Sequence, residues 1–302
     1  MENTKYRSGL ICALSCAGIW GLLPIYWNAL NPISSLTVIF YRITLMALTC
    51  LAIEFYKTKD LKKLFAPMFQ DKKKTWTHIV SGILITMNWS IYIWAIQAGH
   101  VIQSSMGYFL EPLIVCLFGM IIYKEKANKW KLISMGFAFA GLMVMIIGYR
   151  ELPIIAIGLA TTFAVYAAIK KSMDLPPFQS LLYETIFLAP IALLFVFRME
   201  ATGAGALAVG GTGKFLLLLL AGIASAVPMG LFSAAARNLP LLTLGLTEYI
   251  SPSLSLILGI FLFKEPFDII QFSAFVIIWS GLIFFTYGEF ADIRARKKEE
   301  LQ

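Results

Sequence analysis

The sequence predicts an all-helical membrane protein whose ten transmembrane helices form two inverted repeats of five. The first observation is composition, because 59% of the 302 residues are hydrophobic, 14% are charged, and the mean hydropathy is +0.78. Soluble domains usually carry about 25% charged residues. The second observation is a series of apolar segments, each close to the ~20 residues that cross a bilayer. The third is an internal repeat at an offset of 140 residues.

Ten apolar segments follow one another along the chain, and we number them 1 to 10. Their predicted bounds are residues 8–28, 35–56, 78–97, 102–122, 130–148, 152–170, 179–198, 214–236, 242–263 and 268–288. The longest polar gap, at about 57–77, is too short for a soluble domain. No GxxxxGK[ST] motif occurs, which argues against nucleotide hydrolysis within this chain.

Lysine and arginine residues are distributed unevenly between the two sides of the predicted membrane domain. Of the 25, 20 lie in the two termini and in the loops 2–3, 4–5, 6–7 and 8–9, and four lie in the opposite loops. Such an excess marks the cytoplasmic side, so we expect both termini in the cytoplasm. The net charge of +8 flanks apolar spans and forms no single basic face, so nucleic acid is not an expected partner.

Segments 1 and 2 carry the first candidate site residues. Pro24 bends segment 1 and frees a carbonyl that needs a partner in protein or in a wet cavity. Trp20 shares the face of Pro24, and it either lines a cavity or belongs to an aromatic belt. Arg42 lies inside segment 2, about six residues from its outer end. It either faces a carboxylate or a solute, or its side chain snorkels to the surface.

Segment 3 is rich in aromatic and amide side chains. Asn88 and Tyr92 share one helical face, whereas Trp94 and Gln97 share another. Such groups either join membrane helices by hydrogen bonds or bind an organic solute with a ring or an amine. Both interpretations stay open from the sequence.

Segment 4 carries a polar stripe in an otherwise apolar helix. Ser104, Tyr108 and Glu111 follow the i, i+4, i+7 spacing of one face, and Pro112 loosens the hydrogen-bond ladder beside Glu111. A glutamate at mid-membrane either pairs with a cation or stays protonated. Glu111 is therefore a candidate for binding a proton or a cationic group, with a structural ion pair as the alternative.

The second half repeats these features. Tyr166 and Lys170 lie at steps of four in segment 6, and Lys170 is interpreted as the cytoplasmic end of that segment. Glu184 in segment 7 and Glu248 in segment 9 are further candidates for proton or cation coupling. The aperiodic stretch 201–213 reads as a flexible outer loop.

The internal repeat joins the two halves. Pro112, Gly119, Lys124 and Glu125 recur at the same spacing as Pro252, Gly259, Lys264 and Glu265. Because each half holds an odd number of spans, the second half is expected upside down, as in many secondary transporters with a midplane site. The predicted halves are residues 1–148 and 149–302. At this offset Glu248 matches Tyr108, so the two carboxylates lie about one helical turn apart in equivalent places.

Several classes of protein lack support in the sequence. The four cysteines all fall inside spans, and neither a CxxC nor a Cys/His ligand set occurs, so no metal or cofactor is expected. No GxSxG, HExxH or EExxxR motif is present, and the five aspartates lie in loops or at segment ends. An intramembrane enzyme is therefore not expected.

The residues also carry a family resemblance. The chain resembles the EamA-type members of the drug/metabolite transporter superfamily, and most of all the RarD group, known as chloramphenicol-sensitive proteins. The resembling runs are Trp20-Gly21 with Pro24 to Tyr26, Tyr41 to Ile43, Asn88 to Ala95, Gly107 to Phe109 with Pro112-Leu113, and Gly245 to Ile250 with Pro252. The resemblance implies a bacterial inner-membrane permease whose segments 1, 3, 4, 6, 8 and 9 surround a cavity, to which Tyr26 and Tyr249 would belong.

These observations favour a secondary transporter of small organic solutes such as amino acids, metabolites or drugs, working by alternating access. A channel or a lipid scramblase on the same scaffold is the alternative, followed by an intramembrane enzyme. The lipid bilayer and a small solute are the expected partners. The sequence leaves proton coupling, homodimerisation, the solute and the direction of transport open.

Overall fold

The computed structural model describes residues 2–97, 100–150, 154–264 and 268–299, and all regular structure in these ranges is helical. The first half contains α1 (Glu2–Ala29), α2 (Ser35–Thr58), α3 (Leu61–Gln70), α4 (Lys72–Gln97), α5 (Val101–Ile122) and α6 (Lys129–Tyr149). The second half contains α7 (Ile154–Ser172), α8 (Pro177–Thr185), α9 (Ala189–Ala201), α10 (Ala206–Leu218), α11 (Ala221–Asn238), α12 (Leu241–Glu248), α13 (Ile250–Leu258), a π-helical turn (Gly259–Phe263) and α14 (Ile269–Glu299).

Many of these helices have the length and composition of membrane spans. Six pass on their own among the described residues, and eight do so if the bent pairs α8–α9 and α10–α11 each count as one span. Met106–Ile122 of α5 is a shorter apolar helix. The prediction of an all-helical membrane protein is confirmed, whereas the number of ten spans stays a prediction.

The polar gap between segments 2 and 3 contains a helix that the sequence analysis missed. Asp60 caps α3 by accepting hydrogen bonds from the backbone amides of Lys62 at 2.9 Å and Lys63 at 3.3 Å. Leu64 and Met68 are each 1% exposed, so the apolar face of α3 packs on the core.

The predicted outer loop 201–213 is wrong. Residues Ala206–Leu218 form α10, which is kinked where Gly211 adopts a φ of 68°. The Glu200 carboxylate accepts a 2.6 Å hydrogen bond from the Ala206 backbone amide and holds the start of this helix. The many glycines hid a capped helix, because glycine weakens a helix without excluding it.

Two predicted spans are broken at sites that proline explains. Helices α8 and α9 meet at an angle of 60°, and Pro190 near the start of α9 cannot donate a backbone hydrogen bond across the break. Segment 9 divides into α12 and α13 at Tyr249, three residues before Pro252. Pro252 leaves the Glu248 carbonyl without its helical donor, just as Pro112 does for the equivalent carbonyl of Tyr108.

Helices of the two halves pack on each other in reciprocal pairs. The contacts of α1 with α11 and α13 correspond to those of α7 with α4 and α5, if α1 is equivalent to α7. Helices α6 and α14 form the most extensive pair, α2 packs on α8 and α9, and α5 crosses α12. The crossing of α5 and α12 is central, because α7 lies beside α5 and α1 beside α12.

The α6–α14 contact is reciprocal down to single residues. A Cβ atom at Gly141 would lie 2.9 Å from the Ala274 carbonyl oxygen, and one at Gly281 would lie 3.1 Å from that of Ser134. The two contacts correspond, because Gly281 follows Gly141 by 140 residues and Ala274 follows Ser134 by the same offset. Glycine at these two positions lets the helix backbones approach closely, as small residues do in membranes.

Candidate functional site

Two carboxylates lie where α5 crosses α12. Glu248 is the last residue of α12 and only 3% exposed, and its Oε1 atom has no hydrogen-bond partner within the described residues. Glu111 lies on α5, near enough that its charge and that of Glu248 would repel. Neither forms an ion pair with a lysine or arginine of the described ranges. A buried charged carboxylate without a partner is costly, which sets this pair apart from the paired acids of the chain.

A pair of tyrosines lies beside these carboxylates. Tyr108 precedes Glu111 by one helical turn, and its ring centroid is 5.6 Å from that of Tyr92 on α4. Tyr108 is 42% exposed although the other helices enclose it, so its accessible surface faces a space between helices. Ser104 lies one turn earlier, and its buried Oγ atom has no hydrogen-bond partner in the described part of the chain. Within the predicted stripe, Tyr108 is therefore hydrogen-bonded to Tyr92, whereas the Ser104 hydroxyl is unsatisfied among the described residues.

Arg42 on α2 is held by aromatic rings and not by a carboxylate. Its guanidinium carbon lies 4.6 Å from the ring centroids of both Trp27 and Trp89, and its Nε donates a 3.1 Å hydrogen bond to Ser225. It has no ion pair with a described acidic residue. Cation–π contacts partly compensate a desolvated arginine but leave its remaining N–H donors for an anion. Arg42 lies near enough to Tyr108 for its positive charge to interact electrostatically with the Tyr108 hydroxyl.

Three other predicted aromatic residues are packed inside the protein. Trp20 contacts Phe163 and Phe232 at centroid distances of 6.0 and 5.6 Å. The Tyr26 hydroxyl donates to the Leu217 carbonyl at 2.9 Å, which joins α1 to α10. Tyr249 donates to the Phe109 carbonyl at 2.8 Å, three residues before Pro112. Each contact joins two helices.

Glu184 differs from the two central glutamates because it has a cation. Lys170 Nζ lies 2.5 Å from its Oε1 atom, and the two side chains are 0% and 1% exposed. Ser180 and Tyr166 donate further hydrogen bonds to the carboxylate at 3.0 and 3.3 Å. Lys170 lies in the last turn of α7, where the sequence placed the end of the span, but it is fully buried instead of exposed. The spacing of Lys170 and Glu184 gives no signal of this pair, because it forms between two helices.

The amides and the indole of segment 3 have different surroundings. Asn88 donates from Nδ2 to the Leu159 carbonyl at 2.8 Å and to Thr162 Oγ1 at 3.1 Å, which ties α4 to α7. Trp94 is 55% exposed, and its ring contact is with His100. The structure does not bring Trp94 to Tyr108 or Glu111. The side chain of Gln97 lies outside the described residues.

Sequence reasoning missed a polar cluster at the start of α6. Lys131 Nζ lies 2.8 Å from Asp292 and 3.1 Å from Glu289, both on α14. Its side chain is 5% exposed, and it also donates to Thr243 at 3.1 Å. The sequence signal was the i, i+3 spacing of the two acids just after segment 10. Within the described residues no group of three or more potential metal ligands occurs.

Comparisons with known proteins agree with this architecture. The EamA-like transporter family model matches the chain twice, over residues 7–147 and 153–287, so the chain belongs to that family of membrane transporters. Within it the chain belongs to the RarD group, as the sequence resemblance predicted. Protein RarD of Escherichia coli is 30% identical over 293 residues, which cover 94% of this chain and 96% of that protein.

Two further comparisons span nearly the whole chain. An uncharacterized transporter of Bacillus subtilis, YojE, is 33% identical over 302 residues, covering 98% of this chain and 99% of the relative. A solved crystal structure superimposes with a TM-score of 0.70 over 92% of this chain and 97% of its own, at 15% identity. At that identity the superposition supports the fold alone.

Proposed function

We propose that this protein is a proton-coupled secondary transporter of small organic solutes that works by alternating access. The observation that carries the proposal is the central pair Glu111 and Glu248, two carboxylates without a cation at the crossing of the halves. Ionisable residues inside membranes are expensive and mark solute or proton pathways. Glu184, whose lysine partner neutralises it, is not part of this proposed pair.

The proposed architecture has two inverted halves, residues 1–148 and 149–302. The two matches of the family model and the reciprocal α6–α14 contact support it. The ten proposed spans are α1, α2, α4, α5, α6, α7, α8–α9, α10–α11, α12–α13 and α14. An even number of spans places both termini on one side, and the lysine excess favours the cytoplasm of a bacterial inner membrane.

The residues around the pair suit a solute with a ring and a charged group. Tyr92 and Tyr108 offer aromatic surface, and Arg42 offers free N–H donors to an anionic group. Glu111 and Glu248 bind a proton or a cationic group of the solute. Other predicted site residues act by holding helices in place, as their backbone contacts indicate: Tyr26, Asn88 and Tyr249.

Competition at the carboxylates couples the proton to the solute. A proton that neutralises Glu111 or Glu248 removes the charge that a cationic solute needs, so the two cannot occupy the site together. Release of the proton on the side of lower proton concentration restores solute binding there. Each half-cycle then moves one of the two species, which is the requirement for antiport.

Transport in proteoliposomes tests this proposal. A thermal-shift screen on purified protein first identifies a solute, because a ligand stabilises the state that binds it. We expect saturable solute flux that an imposed pH gradient drives, and loss of the gradient dependence in Glu111→Gln and Glu248→Gln. Glu54→Gln is the matched control, since Glu54 is buried but paired with Lys57 at 2.7 Å.

Two outcomes would contradict the proposal. Flux that ignores both the pH gradient and the two central substitutions would exclude proton coupling at this pair. Flux that rises without saturation would indicate an open pore, as in a channel, instead of alternating access.

A further inference from the structure

One carboxylate ties the cytoplasmic ends of the two halves together. Glu125 follows α5, and its Oε1 and Oε2 atoms accept hydrogen bonds from the backbone amides of Leu241 at 2.8 Å and Leu242 at 2.9 Å. These amides belong to the first turn of α12, where no intrahelical acceptor exists and the helix dipole favours a negative charge. Glu125 therefore caps a helix of the opposite half.

Lys171 adds a second bond to the same tie. Its Nζ atom lies 3.3 Å from Glu125 Oε1 and donates a 2.5 Å hydrogen bond to the Leu239 carbonyl. The side chains of Lys171 and Glu125 are 18% and 12% exposed, so water screens them little. Together they join the end of α5, the end of α7 and the connection between α11 and α12.

The repeated sequence motif builds this tie. A Cβ atom at Gly119 would lie 2.6 Å from Glu125 Oε2 and 2.9 Å from the Leu242 amide nitrogen, so only glycine leaves room for the contact. Lys124 adopts a φ of 52°, and the Glu125 amide donates back to the Gly119 carbonyl at 3.1 Å. This turn ends α5 and aims the carboxylate at α12.

We propose that Glu125 is the latch that closes the cytoplasmic side of the transporter. This inference rests on the proposed function, because alternating access requires the cytoplasmic ends of α5 and α12 to separate. Lys171, Leu239 and Pro240 line a cytoplasmic cleft of about 530 Å³, so the lysine that holds Glu125 borders this cleft. The charge-assisted hydrogen bonds of the latch stabilise the closed state. When the latch breaks, its carboxylate, two amides and ammonium bond to water instead, so the closed state can open reversibly.

A native thiol reports the state of the latch. Cys116 on α5 is buried, and its Sγ atom lies 3.3 Å from the Leu242 carbonyl at the seam that the latch closes. Cys50 on α2 is equally buried and serves as a monitor of the rest of the fold. The rate of N-ethylmaleimide labelling at each thiol is measured by mass spectrometry in lipid nanodiscs, without any solute.

We expect Glu125→Gln and Gly119→Ala each to raise the labelling rate of Cys116 about tenfold or more, while Cys50 stays protected. Glu200→Gln is the matched control, because Glu200 also accepts a backbone amide at a helix start but on α10. It should leave Cys116 unchanged. An unchanged Cys116 in both latch variants would overturn the inference. A parallel rise at Cys50 would also overturn it, since the carboxylate would then hold the fold and not a gate.

A second reporter separates the latch from the proposed function. Tyr108→Cys places a thiol in the central space, and an impermeant maleimide outside spheroplasts labels it when the outer side is open. Under alternating access, adding Glu125→Gln lowers this outer labelling severalfold as Cys116 becomes reactive. If Cys116 becomes reactive and the outer labelling does not fall, the latch stands and alternating access fails.

Discussion

The fold treats the charged residues near the end of α5 differently from those where α5 crosses α12. Near the end of α5, Lys170 lies 2.5 Å from Glu184, Lys131 lies 2.8 Å from Asp292, and Glu125 is held by two amides. In the centre Glu111, Glu248 and Arg42 have no ion pair among the described residues. The first set satisfies its charges within the protein, and under the proposed function the second leaves them for a proton or a solute.

This difference separates groups that hold helices from groups that exchange partners. A paired buried ion is destabilising when one partner is removed, because the other stays buried and charged. An unpaired ionisable group carries no such penalty when it is replaced by a neutral isostere. Stability and transport should therefore respond in opposite ways to substitutions in the two regions.

The largest expected effect on stability is that of Lys170→Met. It leaves the Glu184 carboxylate buried without a cation, which costs about 3–5 kcal/mol for pairs of this kind. Thermal unfolding in lipid nanodiscs should show a fall in Tm of roughly 10 °C. The double variant Lys170→Met with Glu184→Leu should recover most of this loss. An equal loss in the double variant would mean that packing and not the charge is responsible.

Glu248→Gln should affect transport and leave stability almost unchanged. Because Glu248 has no cation partner, its neutral amide should change the free energy of unfolding by less than about 1 kcal/mol. The pH dependence of solute flux should nevertheless disappear in proteoliposomes. A destabilisation as large as that of Lys170→Met would indicate a structural ion pair instead of an exchange site.

Arg42→Lys tests whether the central site binds an anionic group of the solute. Lysine keeps the charge but loses the planar group between Trp27 and Trp89, and each such cation–π contact is worth about 0.5–2 kcal/mol. The Kd of an anionic solute, measured by thermal shift, should rise about tenfold. A solute without an anionic group should bind both variants equally.

The smallest effect concerns Asp268, an exposed residue before α14. Slight burial opposes ionisation, but hydrogen bonds from Tyr149, Gln271 and Ile270 outweigh it and lower the pKa of Asp268. A carboxyl with a lowered folded-state pKa adds stability above its unfolded pKa, and this is lost as pH falls through the folded pKa. Asp268→Asn should cost about 0.5 kcal/mol near neutral pH and less in acid, by urea unfolding.

Much of the fold could be predicted from local patterns in the sequence. The lengths of the apolar segments predicted membrane-spanning helices. The matching motifs at Pro112 and Pro252 indicated the two helical segments that cross at the centre. The helix α10 was missed because its glycines look like a loop, and its cap by Glu200 depends on a turn. The Lys170–Glu184 pair was missed because partners on different helices leave no periodic signal. The shared face of Tyr108 and Glu111 could be predicted, because it follows from the spacing of residues along a single helix.

The central claim is that the carboxyls at the α5–α12 crossing carry an exchangeable proton when no solute is bound. Infrared difference spectroscopy of the purified protein in nanodiscs at neutral pH measures this directly. We predict that wild type shows the carbonyl stretch of a protonated carboxyl that is missing in Glu111→Gln with Glu248→Gln, and that it exchanges in heavy water. A spectrum in which the double variant loses only ionised carboxylate bands would contradict the claim.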